Sequence, residues 1–438
     1  MPEKETLTPR QAAAMDLLEW YRAGKVVYRQ RHQLSAQQDY ALYRNLVSNT
    51  IRYRERFLFF IGALTGRSLK KLDHEVVICL MLGLVQLDLL SGVHDYAAVN
   101  ETVNLMAFLK KPKLKGFING NLRSFIRQKD DLVSRFEQQS LAIRTSHPQW
   151  MIQRWERQYG SKTTEKICHA NNRTPEVRIV LNPAFDRQAI EADLDDQFKI
   201  VKQHKGGLTL QHPAGLFNTK WAAEGAFLVQ DPSSQQINHL IDTLPKKRVL
   251  DACAAPGGKL FHMEWQFNNE IDTLVALDFS EERLTRLVSN WKTYHSRAMI
   301  VRMDATRPAF SSRFDLVLVD APCSATGTIQ KHPELKWQRR EADLLQNQQK
   351  QLSILDGIKE VVQVNGHLLY VTCSMEKEEN QNVIEAFLKK NSGTFQQVPF
   401  SPIQADQSLL TPEGFFQCLP GEETMGLFAG LLQKTADK

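Results

Sequence analysis

The chain has 438 residues, 42% of them apolar, enough for two or three ordinary globular cores. Its formal charge of +6 is uneven: residues 1–150 hold 22 Lys+Arg against 14 Asp+Glu, and the rest hold 33 against 35. That distribution fits a polyanion-binding module ahead of a neutral domain, or simply a solvated basic surface.

The opening Met1-Pro2-Glu3-Lys4-Glu5-Thr6 lacks the apolar core of a signal peptide. Residues 8–130 read as entirely helical, with Ala13, Leu17, Leu18 and Tyr21 at helical spacing, then Tyr43, Leu46, Val47 and Ile51. Val76–Leu90 is a buried central helix ended by Ser91-Gly92. Its apolar run is far shorter than the ~20 residues a membrane span needs, so a soluble, cytoplasmic chain with no membrane association is expected. Pro112 breaks the next helix and leaves a basic loop, Lys110-Lys111-Pro112-Lys113-Leu114-Lys115-Gly116, which either touches phosphates or is merely solvated. Residues 145–240 connect to the last domain, with a strand expected over Glu176–Asn182 and a solvated helix face over Glu191–Asp196.

From Arg248 strand and helix alternate. Strands are expected at Val249–Asp251, Thr273–Asp278, Ala298–Met303, Phe314–Asp320 and His367–Val371. Helices are expected at Leu260–Phe267, Glu281–Trp291, Glu341–Val362 and Glu376–Lys389. This is the pattern of a doubly wound, mostly parallel sheet that binds ligands at the carboxyl ends of its strands. The first strand runs into Cys253-Ala254-Ala255-Pro256-Gly257-Gly258-Lys259, a turn of small residues opening a helix. Such a turn lets a nucleoside-like ligand approach the backbone closely. It is not a P-loop, since Leu260 follows Lys259 where Ser or Thr would be required. Asp278 ends the second strand 20 residues after Gly258, placed to accept ribose hydroxyls or to cap the helix at Glu281. Asp304 ends the third strand, facing an adenine amino group or closing a loop turn.

The fourth strand delivers Asp320-Ala321-Pro322-Cys323-Ser324 and the fifth Thr372-Cys373-Ser374. Two thiols and a carboxylate therefore converge where the ligand should lie. A nucleophilic thiol needs a lowered pKa, which helix N-termini and cations supply, and both cysteines precede predicted helices. Cys79 and Cys253 read as buried structural thiols. The six cysteines are widely spaced with no CxxC, which argues against a zinc site or a disulfide framework, so no metal is expected.

Three stretches of the front end, Asp39 to Arg54, Ala97 to Leu105 and Gly116 to Arg123, resemble a NusB-like RNA-binding domain. Asp-Ala-Pro-Cys-Ser with Thr-Cys-Ser and Ala-Pro-Gly-Gly-Lys resembles the Nol/Nop/Sun family of RNA cytosine-C5 methyltransferases. The NusB-like front narrows this to the bacterial subgroup acting on 16S ribosomal RNA. His332-Pro333-Glu334-Leu335-Lys336-Trp337, Val229-Gln230-Asp231 and Glu378-Glu379-Asn380 fit that subgroup. Two stretches depart from it: Met425-Gly426-Leu427-Phe428 replaces Asp-Gly-Phe-Phe, and Gln330-Lys331 replaces a basic pair.

The resemblance implies an all-α NusB-like domain (1–140), a small α+β connector (141–225) and a Rossmann-like α/β methyltransferase domain (226–438), expected to be monomeric. It implies S-adenosylmethionine as methyl donor, held by residues 253–259 with Asp278, Asp304 and Asp320. By the same resemblance Cys373 attacks cytosine C6, Cys323 assists breakdown of the adduct, Asp320 meets the cytosine N3/N4 edge and Lys259 orients the site. Strand-end spacing alone leaves the order of the two cysteines open. A tRNA cytosine methyltransferase and a noncatalytic NusB-like RNA-binding factor are the alternatives.

Overall fold

The computed structural model describes residues 7–26, 28, 29, 33, 34, 40–204, 206–211 and 213–437. Asp39 and the opening residues 1–6 lie outside them. The chain divides into two compact units: residues 1–172 with 332–339, and residues 173–331 with 340–438.

The first unit is helical. Its helix Pro9–Ala23 starts where Thr8 and Gln11 satisfy each other's backbone N–H, and stops at Gly24, whose φ of 72° only glycine adopts cheaply. The apolar stripes expected at Ala13, Leu17, Leu18 and Tyr21, and at Tyr43, Leu46, Val47 and Ile51, are buried except for Tyr21, which is half-buried. His74–Leu89 is the central helix, with every residue from Val76 to Leu87 buried. At Gly83 it meets the helix Lys115–Glu137 so closely that an added Cβ would lie 2.6 Å from Leu122. The basic stretch is a tighter turn than expected: Pro112–Leu114 is one 3-10 turn and Lys115 already opens the next helix. Lys111 pairs there with Asp73 at 2.5 Å, while Lys110 and Lys113 are exposed. The arginines after the second helical stripe are partly structural: Arg56 pairs with Asp88 at 2.6 Å, and buried Arg52 donates to the Asn171 carbonyl at 2.8 Å.

Residues 332–339 complete this unit. Lys336 is fully buried and donates to the Arg52 carbonyl at 2.7 Å and to Asn172 Oδ1 at 3.0 Å. Trp337 Nε1 donates to the Ile51 carbonyl at 2.9 Å, and the Arg54 guanidinium lies 4.5 Å from its ring centroid. Burial, reinforced by the Arg52 charge, lowers the Lys336 pKa well below its ordinary value.

The second unit holds two sheets. The smaller is antiparallel, in the order β2-β3-β1-β4, from β1 (Val177–Leu181), β2 (Lys199–His204), β3 (Gly207–Gln211) and β4 (Phe227–Val229). Only the first was expected. β2 is polar and largely exposed, so it carries no apolar alternation to mark it.

The larger sheet is built from β5 (Arg248–Asp251), β6 (Thr273–Asp278), β7 (Met299–Arg302), β8 (Phe314–Asp320), β9 (Val362–Thr372), β10 (Phe395–Val398), β11 (Phe416–Cys418) and β12 (Leu427–Lys434). Its order is β10-β12-β9-β8-β5-β6-β7, with β11 paired to β12. β9 to β7 run parallel, as expected, and β10, β11 and β12 add an unforeseen antiparallel edge. Two predicted elements shift. The helix from Glu341 ends at Ile358 rather than Val362, because Val362 already begins the 11-residue β9. The helix expected from Glu376 starts at Gln381, behind a 3-10 turn over Lys377–Glu379. Chain order reverses between β5 and β8, the place where such sheets bind ligands.

Candidate active site

The turn after β5 is shaped by one glycine. Gly257 has φ 105°, and a Cβ there would meet the Phe261 ring at 2.2 Å, so no other residue fits. Gly258 then opens the helix Gly258–Gln266. Ala254 N–H bonds the Leu277 carbonyl at 2.9 Å, and Ala255 N–H bonds Asp278 Oδ2 at 3.2 Å, across a cis Ala255–Pro256 bond. Arg283 clasps the same place, donating to the Ala255 carbonyl at 2.6 Å and lying 3.2 Å from Asp278 Oδ2.

Beside this turn lies a cavity of about 860 Å³. Of the residues predicted for cofactor binding, Cys253, Asp278 and Asp304 line it directly, Ala254, Ala255, Pro256, Gly257 and Gly258 shape the turn behind them, and Lys259 and Asp320 lie outside its lining, paired with each other. Asp304 also accepts from the Thr306 N–H and hydroxyl, so it closes a loop turn and faces the cavity at once. The lining includes residues sequence reasoning missed, among them Phe279, Arg283, Gln346 and Lys350. Phe279, directly after a strand-end acid and 67% exposed, is the one that strand counting would have offered. Burial, then the charges of Asp251, Asp320 and Asp278, raises the Cys253 pKa, in keeping with a structural thiol.

The sheet register brings the chemistry together. Asp320 pairs with Val371, so Cys323 and Cys373 leave adjacent parallel strands at the same edge. Their sulfurs are 3.3 Å apart, and both residues are half-buried. Lys259 Nζ donates to Asp320 Oδ2 at 2.6 Å. Burial alone would lower the Lys259 pKa, but Asp320, then Cys373 and Asp251, more than offset it and raise the value. The contact with Cys373, with burial, holds the Cys323 thiol well above its ordinary range. Neither cysteine stands at the start of a long helix; a 3-10 turn follows each. The fixed cation near Cys373 is therefore Lys259 rather than a helix end.

Asp251, also missed, is buried at the end of β5, and burial with the neighbouring Asp320 raises its pKa to about 7 against the opposing pull of Lys259. Glycines close the floor. Gly327 N–H bonds the Cys373 carbonyl at 2.9 Å, Gly426 N–H bonds the Gly327 carbonyl at 2.8 Å, and a Cβ on Gly426 would lie 2.6 Å from Gly327 Cα. The departing stretch Met425-Gly426-Leu427-Phe428 thus keeps the glycine that the contact requires, and Leu427 and Phe428 are buried. In the other departure Gln330 is buried, and burial lowers the Lys331 pKa. Among the described residues no group of His, Cys, Asp or Glu is arranged to hold a metal, and no helix is long and apolar enough to cross a membrane.

Known proteins match along the length of the chain. The family model for 16S rRNA methyltransferase RsmB/F matches residues 239–433, that for the NusB family residues 8–127, and that for the RsmF/B-like ferredoxin-like domain residues 147–215. The ribosomal RNA small subunit methyltransferase B of Salmonella typhi is 34% identical over 410 residues, covering 92% of each chain. The probable enzyme of that name from Coxiella burnetii is 32% identical, covering 90% of this chain and 92% of its own. Among solved structures, PH0851 superposes with a TM-score of 0.75 at 23% identity, covering 99% of this chain and 100% of that one. NSun6 from Pyrococcus horikoshii, solved with SFG, gives 0.58 at 18% identity, covering 66% and 99%. These two likenesses support the fold. The sequence identity, sustained from the helical front to the last strands, goes further: the chain belongs to the RsmB/F family of 16S rRNA methyltransferases.

Proposed function

We propose that the protein methylates C5 of a cytosine in 16S ribosomal RNA, using S-adenosylmethionine and a covalent cysteine adduct. The observation that carries this reading is the pair of thiols 3.3 Å apart, next to the Lys259–Asp320 ion pair, at the strand edge that also opens the Asp278 cavity.

Cytosine C5 is a poor nucleophile. Addition of the Cys373 thiolate to C6 breaks the aromaticity and pushes electron density onto C5, splitting one hard step into easier ones. Asp320 accepts from the cytosine N4 amino group and, once N3 takes a proton from solvent, from N3–H as well, which makes the ring a better electron sink. Lys259 keeps Asp320 oriented and places positive charge beside the attacking sulfur. In the release step the C5 proton passes to solvent water, the C5–H electrons re-form the C5–C6 double bond, and the C6–S bond breaks; Cys323, held as a neutral thiol 3.3 Å away, donates a hydrogen bond to the departing Cys373 sulfur. The cavity fits a nucleoside-bearing donor: Asp278 suits ribose hydroxyls, Asp304 an adenine amino group, and the backbone at Cys253 lines its wall. S-adenosylmethionine, when bound there, supplies the electrophilic methyl that C5 takes up. The target base must be out of any helix to reach these groups. RNA is engaged in part by the NusB-like helical unit, with exposed Lys110 and Lys113 on phosphates.

The decisive experiment is bisulfite sequencing of 16S ribosomal RNA from a strain lacking the gene, with and without complementation. Loss and recovery of one protected cytosine is expected. Unchanged ribosomal RNA with a lost signal in tRNA would overturn the substrate assignment.

A further inference from the structure

The two cysteine loops are tied together by a carboxylate that belongs to neither. Glu379, in the 3-10 turn after β9, is fully buried. Its Oε1 accepts the Ser324 backbone N–H at 2.7 Å and Gln351 Nε2 at 3.4 Å. Its Oε2 accepts the Ser374 hydroxyl at 2.5 Å and also the Ser324 hydroxyl. Ser324 directly follows Cys323, and Ser374 directly follows Cys373. Gln351 also donates to the Pro322 carbonyl at 2.9 Å, and the Tyr370 hydroxyl donates to the Glu379 carbonyl at 2.6 Å. Asn380 secures the second loop, accepting from Thr372 at 2.5 Å and donating to the Ser374 carbonyl at 2.9 Å.

We propose that Glu379 is a positioning residue that sets the distance between the Cys323 and Cys373 sulfurs. The inference rests on the roles proposed above for the two thiols. Four donors from three residues converge on Glu379, and an ionised carboxylate is the side chain that only accepts. Glutamine keeps the volume but turns an NH₂ either toward the Ser324 N–H or toward the two hydroxyls, so at least one donor loses its acceptor. The loops then part, and a misplacement of about 1 Å costs an active site on the order of 100-fold.

The test uses the full-length Glu379→Gln protein and two readouts. In turnover, kcat falls roughly 10- to 100-fold, while KM for RNA and for the methyl donor stays near wild type. In the second, diamide oxidises the two thiols to a Cys323–Cys373 disulfide as its azo bond is reduced to a hydrazine, and peptide mass spectrometry follows the rate. That rate reports sulfur proximity whichever cysteine attacks RNA; it is expected to fall about tenfold, as relaxed positioning would require. Should Glu379→Gln fail to fold, Ser374→Ala carries the same two readouts with the carboxylate in place. A disulfide rate within twofold of wild type in the folded variant overturns the proposal, whatever happens to kcat. Failure of the cysteine roles instead shows as the absence of an RNA adduct in Cys323→Ala, while Glu379→Gln with both cysteines present still forms the disulfide about tenfold more slowly than wild type.

Discussion

The sulfurs of Cys323 and Cys373 lie 3.3 Å apart although 50 residues separate them in the chain. Cys373 directly follows β9 and Cys323 lies three residues past β8, and the Asp320–Val371 register brings the two strand ends side by side. Adjacent thiols in one site invite division of labour. Two thiols this close cannot both ionise readily, and the contact with Cys373, with burial, raises the Cys323 pKa, so Cys323 is the one that keeps its proton.

That division has a direct consequence for variants. Cys373→Ala is expected to reduce methyl transfer to background and to form no adduct. Cys323→Ala is expected to accumulate enzyme bound covalently to RNA, seen as a retarded band on a denaturing gel. A retarded band from Cys373→Ala, with Cys323→Ala turning over normally, would exchange the two roles.

Asp278 should govern donor affinity without touching the RNA step. Losing the hydrogen bonds that ribose hydroxyls donate to a carboxylate weakens binding about tenfold to a hundredfold. Asp278→Ala is therefore expected to show that loss by calorimetry with S-adenosylhomocysteine. Asp278→Asn, which keeps an acceptor for the Ala255 N–H, should lose less.

Asp251 predicts a pH dependence of stability. Its folded pKa, about 7, lies above the ordinary value of 3.8, so the folded state binds a proton that the unfolded chain releases. Stability therefore falls as pH rises from about 4 to about 7 and levels off above, by up to roughly 4 kcal/mol from this group. Asp251→Asn should flatten that part of the profile, gaining on the wild type at pH 8 and matching it near pH 4 in urea unfolding. An equal slope in both proteins would show that Asp251 is charged in the folded state throughout.

Trp337 reports on the segment that completes the helical unit. Trp337→Ala removes the bond to the Ile51 carbonyl, the contact with Arg54 and part of a half-buried indole, at a cost of about 2–4 kcal/mol. Trp337→Phe retains the ring and should cost about 1 kcal/mol. Both are readable by urea denaturation.

The glycine turn and the acids beside it are legible in the sequence because these parts are local. A glycine turn between strand and helix, and acids near strand ends, need no knowledge of distant chain: Asp278 and Asp320 end β6 and β8, and Asp304 follows β7 by two residues. The thiols were legible as strand-end residues, but their contact depends on register, which periodicity cannot supply. Glu379 falls inside the helix that spacing predicts over Glu376–Lys389 and inside the Glu378-Glu379-Asn380 stretch of the resemblance, neither of which gives it a role. It lies instead in a 3-10 turn whose inward side chain serves two loops, and no helical spacing marks that. The polar strand β2 and the antiparallel edge of β10–β12 escaped for another reason. β2 lacks apolar alternation, and most of the eight residues of β12 are buried, so period-2 patterning is absent from both.

Residues 332–339 give the molecule a property that its linear order conceals. The chain crosses from one unit to the other before its cysteine-bearing half is finished, then returns, so no single cut yields two complete pieces. A fragment beginning at Arg173 would carry a lysine and a tryptophan whose partners were left behind, and a fragment ending at Asn172 would lack the side chains that occupy its Ile51 and Arg52 carbonyls. The helical front is thus no detachable accessory. Swapping it for that of a relative would require exchanging the eight residues 332–339 as well, so the two units are inherited in a folding sense as one exchangeable piece.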